Sequence, residues 1–414
     1  MLGVSRLALG VDGYGSVSVL PWYTQGKADD TDPSFWADFT NNRYAVNGNE
    51  EVFSDIFTFT RSTTGTYFDA NGVMQTAAIN EPRFDHDPAT GEPLGLLIEE
   101  QRTNIKTDSA GNGTSYVGSN LTVTANSGIA PDGTNSATRV DFSNTAHAYR
   151  STSTTVSAST AYAFTFYAKR GTLSDASYRV YDQTNGADII ANTSYYAQLS
   201  STGWVRITVL FTTPLGCINV LLYLENSLST GYMYLWGVQL EQGAFATSYI
   251  PTTSSAVTRT SDTLTANATN IIPVSSWASS IEETTYIHAQ QFALSTTAPR
   301  LYEYDTNSNS SLAIVSASHV NQQYSVGGVK QAEFISTITA FEDVKAAIAA
   351  KFNDFAASVN GLTTITDNSG SFAKRVSIKF GNSTADNRPL NGHIREFRYY
   401  PIRVTNSELQ RITT

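Results

Sequence analysis

The sequence predicts an all-β chain, with tandem antiparallel β-sandwiches following an irregular N-terminal segment. Three observations carry this. Apolar residues fall on alternate positions in many short runs, and Asn, Gly, Asp and Ser clusters separate those runs. In addition, 98 of the 414 residues are Thr or Ser, and the 53 Thr are β-branched and suit exposed strand faces. At about 100–200 residues per domain, this length gives two or three domains, each able to bury a core. Gly and Pro (28 and 12 residues) make up about a tenth of the chain, well below the ~25–30% of low-complexity sequences, so the chain folds.

The elements follow in order. Residues 1–55 are irregular and turn-rich, yet they hold Trp22, Tyr23, Phe35, Trp36 and Phe39, too many rings for a plain disordered tail. They read as a segment that orders against this chain or against a partner. Residues 56–108 form a β-rich connecting segment with turns at Glu81-Pro82 and Glu92-Pro93. Residues 109–258 are a strand-rich block in which Tyr162, Phe164 and Phe166 alternate with Ala163, Thr165 and Tyr167. Similar runs occupy 179–181, 204–211, 218–224 and 232–240. After the extended link 251–256 comes a second block, 259–414, with a further run at 374–380. One segment in it is ambiguous. Residues 341–359 are Ala-rich, with Phe341, Val344, Ile348, Phe352 and Phe355 at near-helical spacing, but Val344, Ala346, Ile348, Ala350 and Phe352 also alternate strictly.

Charged residues are 15% of the chain against a typical ~25%, so most of its polarity is neutral. The net charge of −10 and the lack of any Lys/Arg cluster exclude nucleic-acid binding by counterion release. The single cysteine, Cys217, rules out an intrachain disulfide and, inside the apolar run 215–222, reads as a small buried hydrophobe. No run nears the ~18 apolar residues of a membrane helix, so no membrane insertion is expected. The apolar start meets Asp12 too soon for a signal peptide.

Catalytic constellations are sparse, and the chain is expected not to be an enzyme. His86 in Asp85-His86-Asp87 precedes Pro88-Ala89-Thr90-Gly91 and reads as a turn. Glu99-Glu100 and Glu282-Glu283 place neighbouring carboxylates on opposite strand faces. His147, His288, His319 and His393 stand apart, and Gly111-Asn112-Gly113 and Gly327-Gly328 read as turns rather than phosphate loops. The chain does offer rings beside short polar side chains. Sugars stack their C–H faces on rings and hydrogen-bond through their hydroxyls, so Tyr149, Tyr178, Arg179, Tyr181, Asp182, Tyr195, Tyr196, Tyr302 and Tyr304 are the carbohydrate-binding candidates. Trp204 and Trp236, inside regular runs, read as core.

Residues 57–72 (FTFTRSTTGTYFDANG), 81–85 (EPRFD) and 95–104 (GLLIEEQRTN) resemble a segment common in tailed-phage and prophage structural proteins. Gly203-Trp204-Val205-Arg206, residues 234–243 (YLWGVQLEQG), 247–252 (TSYIPT) and Val257-Thr258-Arg259 resemble the closing strands of the carbohydrate-binding jelly roll that follows it in phage fibres and spikes. Residues 358–361 (SVNG) and 390–401 (LNGHIREFRYYP) resemble a laminin-G-like or concanavalin-A-like sandwich. In that family a strand pair precedes the Asn-Gly turn, which implies strand rather than helix at 344–352. The family often closes with a short helix, for which Thr405 is the expected N-cap. The echo between Thr60-Arg61-Ser62 and Thr258-Arg259-Thr260 raises the prospect of a jelly roll inserted into one sandwich made of 57–105 and 259–414.

The resemblance implies a jelly roll at 109–258 and a laminin-G/concanavalin-A-like sandwich at 259–414; residues 1–55 match no family motif, and their position and composition make them the expected particle-attachment segment. It also implies a virion-surface fibre or spike, on tail or head, made in the bacterial cytoplasm without a signal peptide, that binds host-cell polysaccharide as a homo-oligomer and contacts other virion proteins through its N-terminus; the alternative readings are a glycan depolymerase of the same particle and a structural capsid decoration protein. Deletion of residues 1–40 is then expected to leave a folded protein that no longer joins particles. No cofactor is expected, although such domains often hold Ca²⁺; no ligand set for it can be named.

Overall fold

The computed structural model describes residues 9–11, 17–19, 21–111, 113, 115–143, 148–225, 227, 229–267, 281–292, 298–304, 311–316, 318–339, 343–373 and 377–414. Asp12, Asn112, His147 and Phe341, named above, and residues 374–376 of the run 374–380 lie outside them. The described chain is built almost wholly of antiparallel strands and divides into two compact units. One comprises residues 61–93 and 100–261, the other residues 1–60, 94–99 and 262–414.

In the unit of residues 61–93 and 100–261, two sheets share one core. The first runs Tyr116–Ser119, Ala148–Ser151, Asn219–Glu225, Ser177–Asp182, Ala187–Ser194. The second runs Leu121–Thr124, Thr138–Phe142, Gly231–Gln242, Ala161–Arg170, Val205–Thr212. Alternation decides which side chains meet: Phe164, Phe166, Ile207 and Val209 of the second sheet join Val180, Val220, Leu222 and Leu224 of the first in the core. Cys217 is buried among them. The outer face of the second sheet is also covered, where Tyr167, Trp236 and Tyr249 pack with Met74 and Phe68 from the hairpin Gly65–Phe68/Met74–Ala77. Trp236 is core, as its run suggests, whereas Trp204 is only half-buried at the rim of this second cluster.

The strings carrying the resemblance have a structural role. Arg61, Arg83 and Arg259 are almost wholly buried and hydrogen-bond to backbone carbonyls. Arg61 donates to the Thr63, Ala78 and Glu81 oxygens, Arg83 to Thr66, and Arg259 to Glu100. These fork-shaped donors fasten irregular chain with no ladder of its own. Asp85 accepts from the Phe68 amide and Asp87 from those of Ala89 and Thr90, so the acidic groups flanking His86 are engaged in holding turns.

In the other unit, one sheet runs Asn49–Glu51, Arg43–Val46, Phe35–Asp38, Gly392–Tyr400, Glu282–Gln291, Asp343–Lys351, Asp354–Val359, Ile365–Asp367. The second runs Val329–Thr337, His319–Val326, Ser311–Val315, Arg300–Tyr304, Ser377–Phe380, Thr263–Asn267, Phe57–Thr60. Residues 96–98 pair with 392–394, and the Glu99 amide donates to the Asp262 carboxylate while the Asp262 amide donates to the Glu99 carbonyl, where the chain returns. The Ala-rich segment is strand. Asp343–Lys351 pairs with Glu282–Gln291 on one side and Asp354–Val359 on the other, so tertiary pairing overrides the helical propensity of alanine. Both of its faces are buried: Ala347 and Ala349 pack under the C-terminal helix Asn406–Ile412, and Ile348 and Ala350 pack against Tyr324 and Phe334. Small side chains are what allow that close two-sided packing. The helix is capped by Thr405, whose hydroxyl accepts from the Glu408 amide at 3.4 Å.

The N-terminal rings order against this chain. Phe35–Asp38 pairs with Gly392–Tyr400, and Phe35 and Phe39 are buried against Phe57, Phe380 and Phe397. This overturns the expectation that residues 1–40 can be removed without loss of folding, because the deletion would strip a paired strand and two core rings from this unit.

Candidate functional site

The site lies on the outer face of the first sheet in the unit of residues 61–93 and 100–261. Val180, Asp182, Val220, Leu222 and Leu224 point inward, so Arg179, Tyr181 and Tyr223 point outward, and Arg150 does so between buried Tyr149 and Ser151. Strand register lines them up. Arg150 is opposite Tyr223, Tyr223 is opposite Arg179, and in the next row Tyr181 is opposite Asp188.

Cations and rings therefore alternate across the face. The Arg150 guanidinium lies 5.8 Å from the Tyr223 ring centre, and that of Arg179 lies 5.1 Å from Tyr223 and 4.7 Å from Tyr181. Asp188 accepts from Nε and Nη2 of Arg179, both at 2.6 Å, which fixes the guanidinium. Two guanidinium groups against one carboxylate leave this patch locally cationic on an acidic chain. The combination offers ring faces for C–H stacking, held donors for hydroxyl or carboxylate oxygens, and one carboxylate acceptor.

Of the sequence-selected residues, Arg179 and Tyr181 belong to this face. Tyr178 has the opposite parity; half-buried, it stacks on Tyr195 at 6.1 Å. Tyr196, in the short turn Tyr196–Gln198, sits under Arg170 at 5.6 Å, away from the ladder. The remaining five are corrected from ligand contacts to structural groups, because their side chains are closed to solvent. Tyr149 is 1% exposed, stacks on Tyr116 and donates to the Gly111 carbonyl. Tyr195 is likewise buried and donates to the Leu224 carbonyl at 2.7 Å. In the other unit, Tyr302 and Tyr304 are buried edge-to-face against each other, Tyr302 also against Phe397. Asp182, 1% exposed, holds its turn by accepting from the Thr184 and Asn185 amides and from the Asn185 side chain. Burial opposes its charge, but these hydrogen bonds prevail and lower its pKa.

Arg150, Tyr223 and Asp188 were not selected from the sequence. Parity could have found Tyr223, since apolar Leu222 and Leu224 flank it, but its pairing with Arg150 is a matter of long-range register. Among the described residues, no group of three or more His, Cys, Asp or Glu is placed to hold a metal ion.

No family model and no curated protein matches the chain. Among solved structures, it is similar to the CBM40 of Ruminococcus gnavus IT-sialidase bound to α2,3-sialyllactose (14% identity, 32% of this chain and 82% of that one, TM-score 0.28). It is also similar to the binding domain of botulinum neurotoxin DC in complex with rat synaptotagmin II (11% identity, 37% of this chain and 40% of that one, TM-score 0.29). These neighbours are all-β carbohydrate- or receptor-binding domains. At TM-scores below 0.5 the likenesses carry no argument about the site, which stands on its own geometry.

Proposed function

We propose that the chain is a glycan-binding adhesin that holds host-cell surface polysaccharide without cleaving it. The observation that carries this is the Arg150–Tyr223–Arg179–Tyr181 ladder, a half-exposed cation–ring surface with its central guanidinium fixed by Asp188. A single site of this kind binds weakly, and several copies on one particle raise the avidity by making later contacts local. The phage-type strings at 57–104 and 203–259 support placement as a homo-oligomeric fibre or spike on a tailed-phage-like particle, released from the bacterial cytoplasm without a signal peptide. Attachment through partner virion proteins is then a role of the N-terminal segment, residues 1–55. The test is binding of purified protein to isolated host capsule, with a reducing-end assay alongside. Wild type is expected to bind and to release no oligosaccharide, and a Tyr181→Ala/Tyr223→Ala double variant is expected to lose binding while staying folded. Equal binding by the double variant, or release of oligosaccharide, refutes the proposal.

A further inference from the structure

A separate cleft of about 650 Å³ opens in the same unit, at the free edge of the second sheet. Phe68 and Pro88 line it from the 61–93 segment, and Tyr167, Trp204 and Arg206 from the sheet, with Pro131 closing it. Its volume falls within the ~300–1,000 Å³ of small-molecule sites. The walls are fixed. The Trp204 indole N–H donates to the Ile129 carbonyl at 3.0 Å, which sets the ring plane. Gly72 adopts φ +70°, and a Cβ there would lie 2.4 Å from the Pro88 carbonyl oxygen, so the two turns at the rim pack backbone to backbone.

Arg206 is the charged group among the described residues that line this cleft, beside the hydroxyl-bearing Ser200 and Thr202. Its Nη2 donates to the Thr165 hydroxyl at 3.0 Å, and its guanidinium carbon lies 5.7 Å from the Tyr167 ring centre. Its Nε–H is buried and has no acceptor among the described residues. The Nε–H groups of Arg83 and Arg259 likewise lack an acceptor among the described residues, but those side chains are almost wholly buried, whereas Arg206 is half-buried and supplies the guanidinium among the described residues that line this ring-walled cleft. A carboxylate suits that guanidinium, and the rings suit the C–H face of a pyranose.

We propose that the cleft is a second saccharide site, selective for a sugar that carries a carboxylate, with Arg206 receiving the carboxylate and Trp204 the ring. It is distinct from the Arg179–Tyr181 face and does not depend on that face binding anything. The full chain, labelled with 5-fluorotryptophan, reports on it by ¹⁹F NMR, with the Trp204 resonance assigned by Trp204→Phe. Titration with methyl β-D-glucuronide, methyl α-D-galacturonide or the methyl glycoside of N-acetylneuraminate is expected to shift that resonance for at least one acid, at least tenfold more tightly than methyl β-D-glucoside. Arg206→Gln is expected to weaken the response at least tenfold. Arg206→Lys, which keeps the charge but loses the fork, should fall between and serves as the decisive variant if Arg206→Gln does not fold. Tyr181→Ala/Tyr223→Ala should leave the response unchanged, so failure of one site is distinguishable from failure of the other. The inference is overturned if no acid shifts Trp204, if sodium acetate shifts it as strongly as the glycosides do, or if neither Arg206 variant weakens the response.

Discussion

Burial divides the tyrosines of one sheet into two functional kinds, and a pair of substitutions separates them. Tyr195 is fully enclosed, with its hydroxyl on the Leu224 carbonyl and its ring against Phe166 and Tyr178. Truncating such a ring to Ala removes its burial and leaves a cavity, at a cost of about 4 kcal/mol. The unit of residues 61–93 and 100–261 contains 195 residues. A domain of that size loses ~2–4 °C of Tm per kcal/mol, so Tyr195→Ala should melt roughly 8–16 °C lower. Tyr181 is half-exposed on the ladder, and its truncation should change stability by no more than ~0.5 kcal/mol, about 2 °C at most. What it loses instead is a stacking and cation–π surface worth about 1 kcal/mol, a roughly fivefold weakening at a single site. Calorimetric melting of the two variants, with capsule binding measured by biolayer interferometry at low protein density, reads both effects. The reasoning fails if Tyr195→Ala melts like wild type, or if Tyr181→Ala melts as low as Tyr195→Ala is expected to.

Burial raises the pKa of Tyr149, and it also raises those of Tyr116, Tyr195 and Tyr249. A raised folded-state pKa gives stability that is complete below the unfolded value of about 10 and is lost above it. Tm should therefore fall steeply as pH rises from 10 to 11.5, and Tyr149→Phe should flatten that fall; a pH-independent Tm over this range would contradict it. The Cys217 thiol, enclosed and donating to the Asn219 carbonyl at 3.8 Å, is pushed up to about 11, chiefly by burial. A thiol reagent at pH 8 should leave the native protein unmodified and label it only after urea unfolding, as intact mass will show. Ala349 packs beneath the C-terminal helix with no room to grow, so Ala349→Leu should cost ~1–3 kcal/mol by overpacking, measured by denaturant unfolding.

Local rules made the strand content legible. Period-two alternation found the Ala161–Arg170 and Val205–Thr212 strands and assigned Phe164 and Phe166 to the core. The Ala-rich strand was legible only through the resemblance, because its stabilisation comes from two partners, one of them far away in sequence. The site was less legible, for a physical reason. Tyr149, Tyr181 and Tyr195 look alike as letters, and their fate depends on parity and on the neighbouring sheet. A tyrosine whose hydroxyl finds a carbonyl can be buried at little cost, so polarity at its tip predicts nothing about exposure. The ladder itself exists only in register, since Arg150, Arg179 and Tyr223 come from three strands. Arg206 was visible within a quoted motif, but its unmet donor is a property of packing.

The charge distribution sets a final expectation. The chain carries −10 overall, yet the ladder holds two guanidinium groups against one carboxylate. Against an acidic polysaccharide the two effects oppose each other at different ranges. The net repulsion acts over tens of ångströms, and its reach shrinks from a Debye length of ~30 Å at 0.01 M salt to ~8 Å at 0.15 M. Contacts between Arg150 or Arg179 and a bound anionic sugar form inside that distance and are partly shielded from solvent by the rings beside them, so they are screened less. Binding to an acidic capsule should therefore tighten from 0.01 to 0.15 M NaCl, while binding to a neutral glycan should stay flat. Arg179→Gln should weaken acidic-glycan binding at both salt concentrations and leave the salt trend in place. A steady fall in wild-type binding across this range would refute the expectation, because ion pairing at the contact would then outweigh the field of the whole chain.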